Sequence, residues 1–341
     1  MWLYLILIVL VFGVLVFIHE FGHFITARLC KVSVREFAVG MGPKLVSWKS
    51  KKHETQYALR LFPIGGFVSM EGEDEASDDD NAFCNKSIPK RMLIIIAGAA
   101  MNLILGFLLM TVLVFMQGLP VSTTIADFSE GAISSQYLQV GDRVLEVDGT
   151  RVHTGNELVY EIMNQGYEPI DIRVERNGEK ILLENVEFPT MTDSGSTFGD
   201  YDFILYAEKV TFPNLLKHAW FRSVSTVKMV FDSLVGLITG RFGMESVSGP
   251  VGVAEVVGDA AKVGFGSFLY IVAVLTINLG VFNLIPFPAL DGGRFLFLII
   301  EGIRRKPINR NVESYINFVG IMLLFALMIF VTVKDVLNLF V

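Results

Sequence analysis

Four stretches of the chain, at about 2–26, 92–117, 268–286 and 314–333, are dominated by apolar side chains. A helix needs roughly 20 such residues to cross the ~30 Å hydrocarbon core of a bilayer, so each stretch predicts a transmembrane helix. The pattern changes between Leu119 and about Glu187, where short polar runs replace the long apolar ones. Val144, Glu146 and Asp148 alternate against Leu145 and Val147, which marks a half-buried strand, and Asp148-Gly149 is a tight-turn signal. A short helix is expected around Glu157–Asn164. Ile170 to Arg176 alternates again, and Asn177-Gly178 turns it into Lys180–Leu183. Beyond this small folded domain, Phe221, Val224, Val227, Phe231, Leu234 and Ile238 recur at helical spacing, with Arg222, Lys228 and Asp232 elsewhere on the wheel. They predict an amphipathic helix that lies along the outer membrane interface or packs against a neighbouring span.

Composition agrees with the pattern. At 341 residues and 52% hydrophobic content, with mean hydropathy +0.53, the chain reads as a polytopic membrane protein and not a soluble one. The first apolar stretch has no basic leader and no small-residue cleavage site, so it is expected to be a span and not a signal peptide. Arg28, Lys31 and Arg35 follow the first span, Lys86, Lys90 and Arg91 precede the second, and Arg304, Arg305, Lys306 and Arg310 lie between the third and fourth. Basic loops stay on the cytoplasmic side, so both termini and region 119–218 are expected outside. That region holds 17 acidic against 7 basic residues, which more than accounts for the net charge of −7 and argues against a nucleic-acid partner. Cys30 and Cys84 lack zinc-site spacing and are read as bystanders. The acidic run Glu71–Asp80 is read as a solvated loop.

Directly behind the uncharged stretch Met1 to Ile18 comes His19-Glu20-Phe21-Gly22-His23, an HExxH motif. Residues four apart share one helical face, so the two imidazoles can grip one metal while Glu20 points close beside it. Desolvating two histidines and a glutamate in hydrocarbon without a metal has no evident compensation. A catalytic zinc usually takes three protein ligands and leaves a position for water, so one more His, Asp or Glu is needed. It must arrive at the same depth from another helix. The third span runs from outside to inside and ends in Asn283-Leu284-Ile285-Pro286-Phe287-Pro288-Ala289-Leu290-Asp291-Gly292-Gly293, which brings Asp291 to the cytoplasmic side. Iron or cobalt could occupy the same ligands, although the His/His/carboxylate set favours zinc.

Together these segments resemble the site-2 protease family of intramembrane zinc metalloproteases, specifically its bacterial RseP-type branch. Gly98-Ala99-Ala100-Met101-Asn102 is similar to the family's GxxxN segment, and Gly65-Gly66-Phe67-Val68 to its membrane-dipping β-loop. Met70-Glu71-Gly72-Glu73-Asp74-Glu75 and Ser248-Gly249-Pro250-Val251-Gly252 also resemble family segments, while Ala99 departs from a proline found in many members. Gly131-Ala132-Ile133 and Leu138 to Gly149 resemble a single PDZ domain.

The resemblance implies that His19, His23 and Asp291 bind Zn2+ and that Glu20 is the catalytic base. Asn102 and Asn283 would hold substrate backbone, with Pro286 and Pro288 shaping the groove and Gly65, Gly66 and Phe67 on the β-loop beside it. The implied fold is a polytopic α-helical membrane protein of about four transmembrane helices, with a membrane-associated β-loop and an inserted extracytoplasmic PDZ-like α+β domain. Residues 1–118 and 263–341 would form the two halves of the membrane core, 119–190 the PDZ-like domain, and 191–262 a linker with the amphipathic helix. The implied function is regulated intramembrane proteolysis near the cytoplasmic side of the bacterial cell membrane. Its substrates would be single-span proteins trimmed by an upstream protease, such as anti-sigma factors, and remnant signal peptides. The PDZ-like domain would bind peptides or act as a size filter. Two other classes stay open: a non-catalytic PDZ membrane scaffold and a zinc transporter.

Overall fold

The computed structural model describes residues 2–51, 54–73, 75–193 and 195–338, with side chains at these positions except 2–6, 63–64, 193 and 338. Asp74 of the acidic segment, and residues 1 and 339–341 of the expected core halves, lie outside the described residues. The chain divides into two compact units, Met1–Gly106 with Ser248–Val341 and Phe107–Val247.

In the first unit, α1 (Trp2–Leu29) is followed by β1 (Val34–Lys49) and β2 (Gln56–Met70), and then by α2 (Ile88–Gln117), whose first part belongs here. The strands are long and bent, so each pairs more than once: Phe37 partners both Val68 and Tyr57, and Trp48 returns to Tyr57. The near half of this hairpin is buried through Val34, Phe37, Ala38 and Met70, while its far half exposes Met41, Leu45, Trp48, Leu61 and Phe62.

The second unit begins within α2 and continues with β3 (Val121–Phe128), β4 (Arg143–Val147), β5 (Thr150–Arg151), α3 (Gly155–Gln165), β6 (Ile170–Arg176) and β7 (Glu179–Val186). After these come β8 (Thr190–Asp193), β9 (Ser196–Gly199), β10 (Phe203–Ala207) and α4 (Phe212–Thr239). One sheet runs β10-β3-β4-β6-β7 with β5 on β4, and Ile125, Leu138, Val144, Leu158, Ile162, Ile172 and Val174 fill its core. Thr154 caps α3 by accepting the Glu157 amide. The sheet thus takes an edge strand, β10, from beyond the expected 190 boundary; five residues set between acidic and glycine-rich segments carry too little alternation to be noticed. On α4 the expected apolar stripe is split: Val224, Phe231 and Ile238 are 44%, 50% and 84% exposed, whereas Phe221, Val227 and Leu234 are half-buried, with Phe221 stacked on His153. The face turned inward is Leu215, Ala219, Ser223, Thr226 and Val230.

The chain returns to the first unit with α5 (Pro250–Val263), α6 (Phe265–Leu284), α7 (Asp291–Arg304) and α8 (Arg310–Asn338). Among the described residues, four helices are long and apolar enough to cross a membrane: Leu7–Leu29, Ile88–Gln117, Phe265–Leu284 and Arg310–Leu337. Sequence periodicity did not announce α5, a helix of small residues. Its N-terminal amides at Gly249 and Gly252 donate to the Asp335 carboxylate on α8, at 2.9 and 2.8 Å. Two ion pairs tie α7 to the rest of the unit, Arg91 to Glu301 at 2.8 Å and Arg294 to Glu73.

Candidate active site

His19 and His23 lie on the inward face of α1, one turn apart, with ring centroids 4.8 Å from each other. Gly22 on the same face lets α2 approach, because any Cβ there would run into the Ala97 carbonyl. Gly98 does the same for the imidazoles: a Cβ on it would meet His23 Nε2 and stand 2.9 Å from His19 Cε1. The glycine of the GxxxN segment therefore leaves room for the two rings.

Asp291 arrives from the other end of the unit, as the first residue of α7. Its Oδ2 stands 3.1 Å from His19 Nε2 and 3.3 Å from His23 Nε2, and the two Nε2 atoms are 3.2 Å apart. Two ligand atoms on a tetrahedral zinc with bonds of about 2.0–2.1 Å are separated by about 3.3 Å, so the triangle has the size of one face of such a site. Asp291 Oδ2 is buried and has no hydrogen bond of acceptable geometry. A cation between the three atoms would supply its missing partner, so the donor set fits a zinc ion. Among the described residues, His19, His23 and Asp291 form the one cluster with the makings of a metal site.

The outer nitrogens fix the imidazoles. His23 Nδ1 is 2.9 Å from the Ile94 carbonyl, which can only accept, so Nδ1 carries the proton and the Nε2 lone pair faces Asp291. His19 Nδ1 is 3.4 Å from the amide of Asn102, whose Oδ1 is buried without a partner. With that amide turned by half a rotation, Oδ1 accepts from Nδ1–H, which leaves the His19 Nε2 lone pair facing Asp291. Asn102 is fully buried, which puts it behind a histidine instead of in an open groove. Sequence reasoning missed the Ile94 carbonyl altogether, since a main-chain acceptor leaves no mark in the sequence.

Glu20 is half-buried beside the triangle and receives the amide of Val68. A Cβ on Gly66 would lie 2.9 Å from the Ala38 carbonyl and in ordinary contact, 3.5 Å, with Glu20 Cγ, so this glycine lets β2 lie close against β1 next to the Glu20 side chain. Gly65 has φ +81°, and Phe67 lies under the Arg60 guanidinium at 4.9 Å. Asn283 donates back to the Leu279 carbonyl at 2.9 Å within α6. Pro286 is exposed, and Pro288 packs against Gly320 of α8. The structure therefore brings Glu20 and Gly66 to the triangle and places Asn102 behind it.

The family model for Peptidase family M50 matches residues 7–327. A provisionally named zinc metalloprotease of Clostridium acetobutylicum is 36% identical over 335 residues, covering 97% of each chain. The zinc metalloprotease RasP of Shouchella clausii is 32% identical, covering 97% of this chain and 98% of its own. The regulator of sigma-W protease RasP of Bacillus subtilis is 29% identical with the same coverage. A match that runs through α1, the β-hairpin, α2 and the Asp291 segment alike shows that the chain belongs to peptidase family M50.

Proposed function

We propose that this chain is an intramembrane zinc endopeptidase of the RseP-type branch, with His19, His23 and Asp291 as ligands and Glu20 as general base. The observation that carries the reading is the triangle of three donor atoms with Glu20 beside it, two of them on a helix long and apolar enough to span a membrane and inside its Leu7–Leu29 span. Held there, zinc supplies Lewis acidity toward a water and the scissile carbonyl. Glu20 takes the proton of the attacking water and passes it to the amide nitrogen as the C–N bond breaks, giving a carboxylic acid and an amine. Ile94 and Asn102 keep both imidazoles in the tautomer that presents Nε2.

A membrane-spanning substrate is hydrogen-bonded as a helix and must unwind before it can be cut. Within the 57–68 segment, residues 57–59 are paired on both sides, so the strand edge for the unwound stretch is the Gly66–Val68 end beside Glu20, with Phe67 on it and Gly65 just before it. Asn283 helps hold the substrate backbone, and Pro286 and Pro288 shape the adjacent groove. The bare apolar half of the hairpin, Met41 to Trp48 with Leu61 and Phe62, suits insertion into the membrane surface.

The basic loops orient the site toward the cytoplasm with both termini outside. The sheet of the second unit is the single extracytoplasmic PDZ-like domain, binding peptides or excluding bulky untrimmed proteins. The substrates are single-span membrane proteins already trimmed by another protease, with anti-sigma factors and remnant signal peptides as the leading classes.

The test is cleavage of a trimmed single-span substrate by the wild type and by Glu20→Gln, with metal content measured on both. The variant is expected to keep its zinc and lose cleavage by at least about a hundredfold. Equal cleavage by both overturns the assignment of Glu20.

A further inference from the structure

The carboxylate of Asp291 is delivered by backbone that is irregular throughout. Residues 285–290 between α6 and α7 are neither helix nor strand, and Ala289, two residues before the ligand, has φ +74°. That left-handed conformation is one that residues with a Cβ rarely adopt. A main-chain amide in such a segment, set between membrane helices, needs a partner from the protein. For the Ala289 N–H that partner is Asn317 Oδ1 on α8, at 3.1 Å.

The surroundings of Asn317 make this a seam between α8 and the loop. Its neighbours Phe318, Val319 and Ile321 are 58%, 40% and 39% exposed, as suits a face turned to lipid. Three residues on, and so on the same face as Asn317, Gly320 is buried against Pro288. A Cβ at 320 would stand 2.5 Å from Pro288 Cβ and 2.7 Å from the Pro288 carbonyl oxygen. The same helix face thus grips two successive residues, Pro288 by close packing and Ala289 by a hydrogen bond.

We propose that Asn317, with Gly320 one turn along, is a positioning residue of the metal centre. It holds Ala289 in its left-handed conformation and thereby sets where Asp291 places Oδ2 against the two histidines. The inference rests on the zinc reading given above and extends the site to α8, which contributes no ligand. A residue that only supports the fold would act through packing, whereas this one acts through a single strained backbone angle. Ala289→Gly removes the Cβ that makes the angle unfavourable, so it compensates for loss of the Asn317 hydrogen bond and for nothing else.

The experiment compares full-length wild type, Asn317→Ala and the double variant Asn317→Ala with Ala289→Gly. Each is loaded with zinc, exposed to a chelator and followed for zinc release, with substrate cleavage measured in parallel. Asn317→Ala is expected to lose zinc about tenfold faster than the wild type, in the range typical of lost outer-shell support, and the double variant to recover most of that difference. Zinc release from Asn317→Ala at the wild-type rate, or failure of Ala289→Gly to restore it, overturns the positioning role while the zinc reading stands. A wild type that takes up no zinc overturns the zinc reading and this inference with it. Should Asn317→Ala not accumulate, Gly320→Ala pushes on Pro288 from the same seam and is expected to give the same acceleration; wild-type release from it overturns the proposal.

Discussion

His19 and His23 sit four residues apart on one uninterrupted helix, whereas Asp291 stands at the head of α7 behind six residues that are neither helix nor strand. Helix geometry alone aims the two imidazoles the same way, whatever the rest of the molecule does. Nothing local aims the carboxylate. Its place follows from tertiary contacts: Gly292 and Gly293 against the backbone of residues 284–287, and Pro288 and Ala289 against α8. The comparison teaches that one half of the centre is vulnerable to intrusion and the other to loss of support.

The largest effect is expected where intrusion meets the helical half. Gly98→Val should abolish zinc binding and reduce cleavage to background, because even the first carbon of the new side chain would occupy the space of His23 Nε2. Zinc stoichiometry and cleavage on the purified variant check this. A Gly98→Val protein that retains a full complement of zinc would mean the imidazoles can move away, and the contrast with the Asp291 half would disappear.

Next comes Gly292→Ala on the irregular half. A Cβ there faces the carbonyls of Leu284 and Ile285, and backbone yields less readily than a side chain. Overpacking of this kind costs about 1–3 kcal/mol. Both the unfolding midpoint and zinc retention should fall together, unlike Asn317→Ala, where zinc retention should fall further than stability. Equal stability losses in the two variants would show that the loop and the seam act as one packing unit.

The same contrast explains what was legible in the sequence. The four spans, α3, β4, β6 and β7 carry periods of 3.6 or 2, or unbroken apolarity, that survive any tertiary arrangement. HExxH is readable for the same reason, being a spacing on a helix. Asp291 could be reached only by pairing it with HExxH at matched depth, and its support by Asn317 and Gly320 could not be reached at all, because a lone Asn and a lone Gly in an apolar span look like ordinary helix contacts. The inward face of α4 went unread for a further reason. Beside a membrane the outward face can be the more apolar one, so Phe231 and Ile238 pointed away from the contacts made by Ala219, Ser223 and Thr226. Strand β10, no shorter than β4, did not signal itself because Phe203 to Ala207 has no polar positions to alternate with its apolar ones.

A smaller effect is expected at Asp335, which repeats the logic of Asn317 away from the metal: one side chain on α8 satisfying main-chain amides elsewhere. Its replacement by alanine leaves the first turn of α5 uncapped, at about 1–2 kcal/mol. The midpoint of thermal inactivation should drop by a few degrees, with zinc content at low temperature unchanged. If zinc is lost as readily as from Asn317→Ala, support of the ligand loop extends through α5 and the seam is not its sole source.

The smallest effect isolates what a metal adds to a buried histidine. His218 on α4 is only 2% exposed and has a carboxylate partner, Glu208 Oε2 at 3.3 Å, but no second histidine. Burial pushes its pKa below the ordinary value of about 6.5, and the nearby Glu208 carboxylate offsets only part of this. The folded protein therefore binds fewer protons at this position than the unfolded chain. Stability is insensitive to His218 above about pH 6.5 and declines as pH falls below it. Zinc ligands also lose their metal as they protonate, so the two sources must be separated with the metal removed. Unfolding midpoints of the zinc-free wild type and of His218→Gln, measured at pH 7.5, 6.5 and 5.5, should converge toward low pH as the wild type loses the larger share. Parallel profiles would mean that His218 does not titrate across that window, and that its carboxylate partner compensates for burial as fully as a metal would.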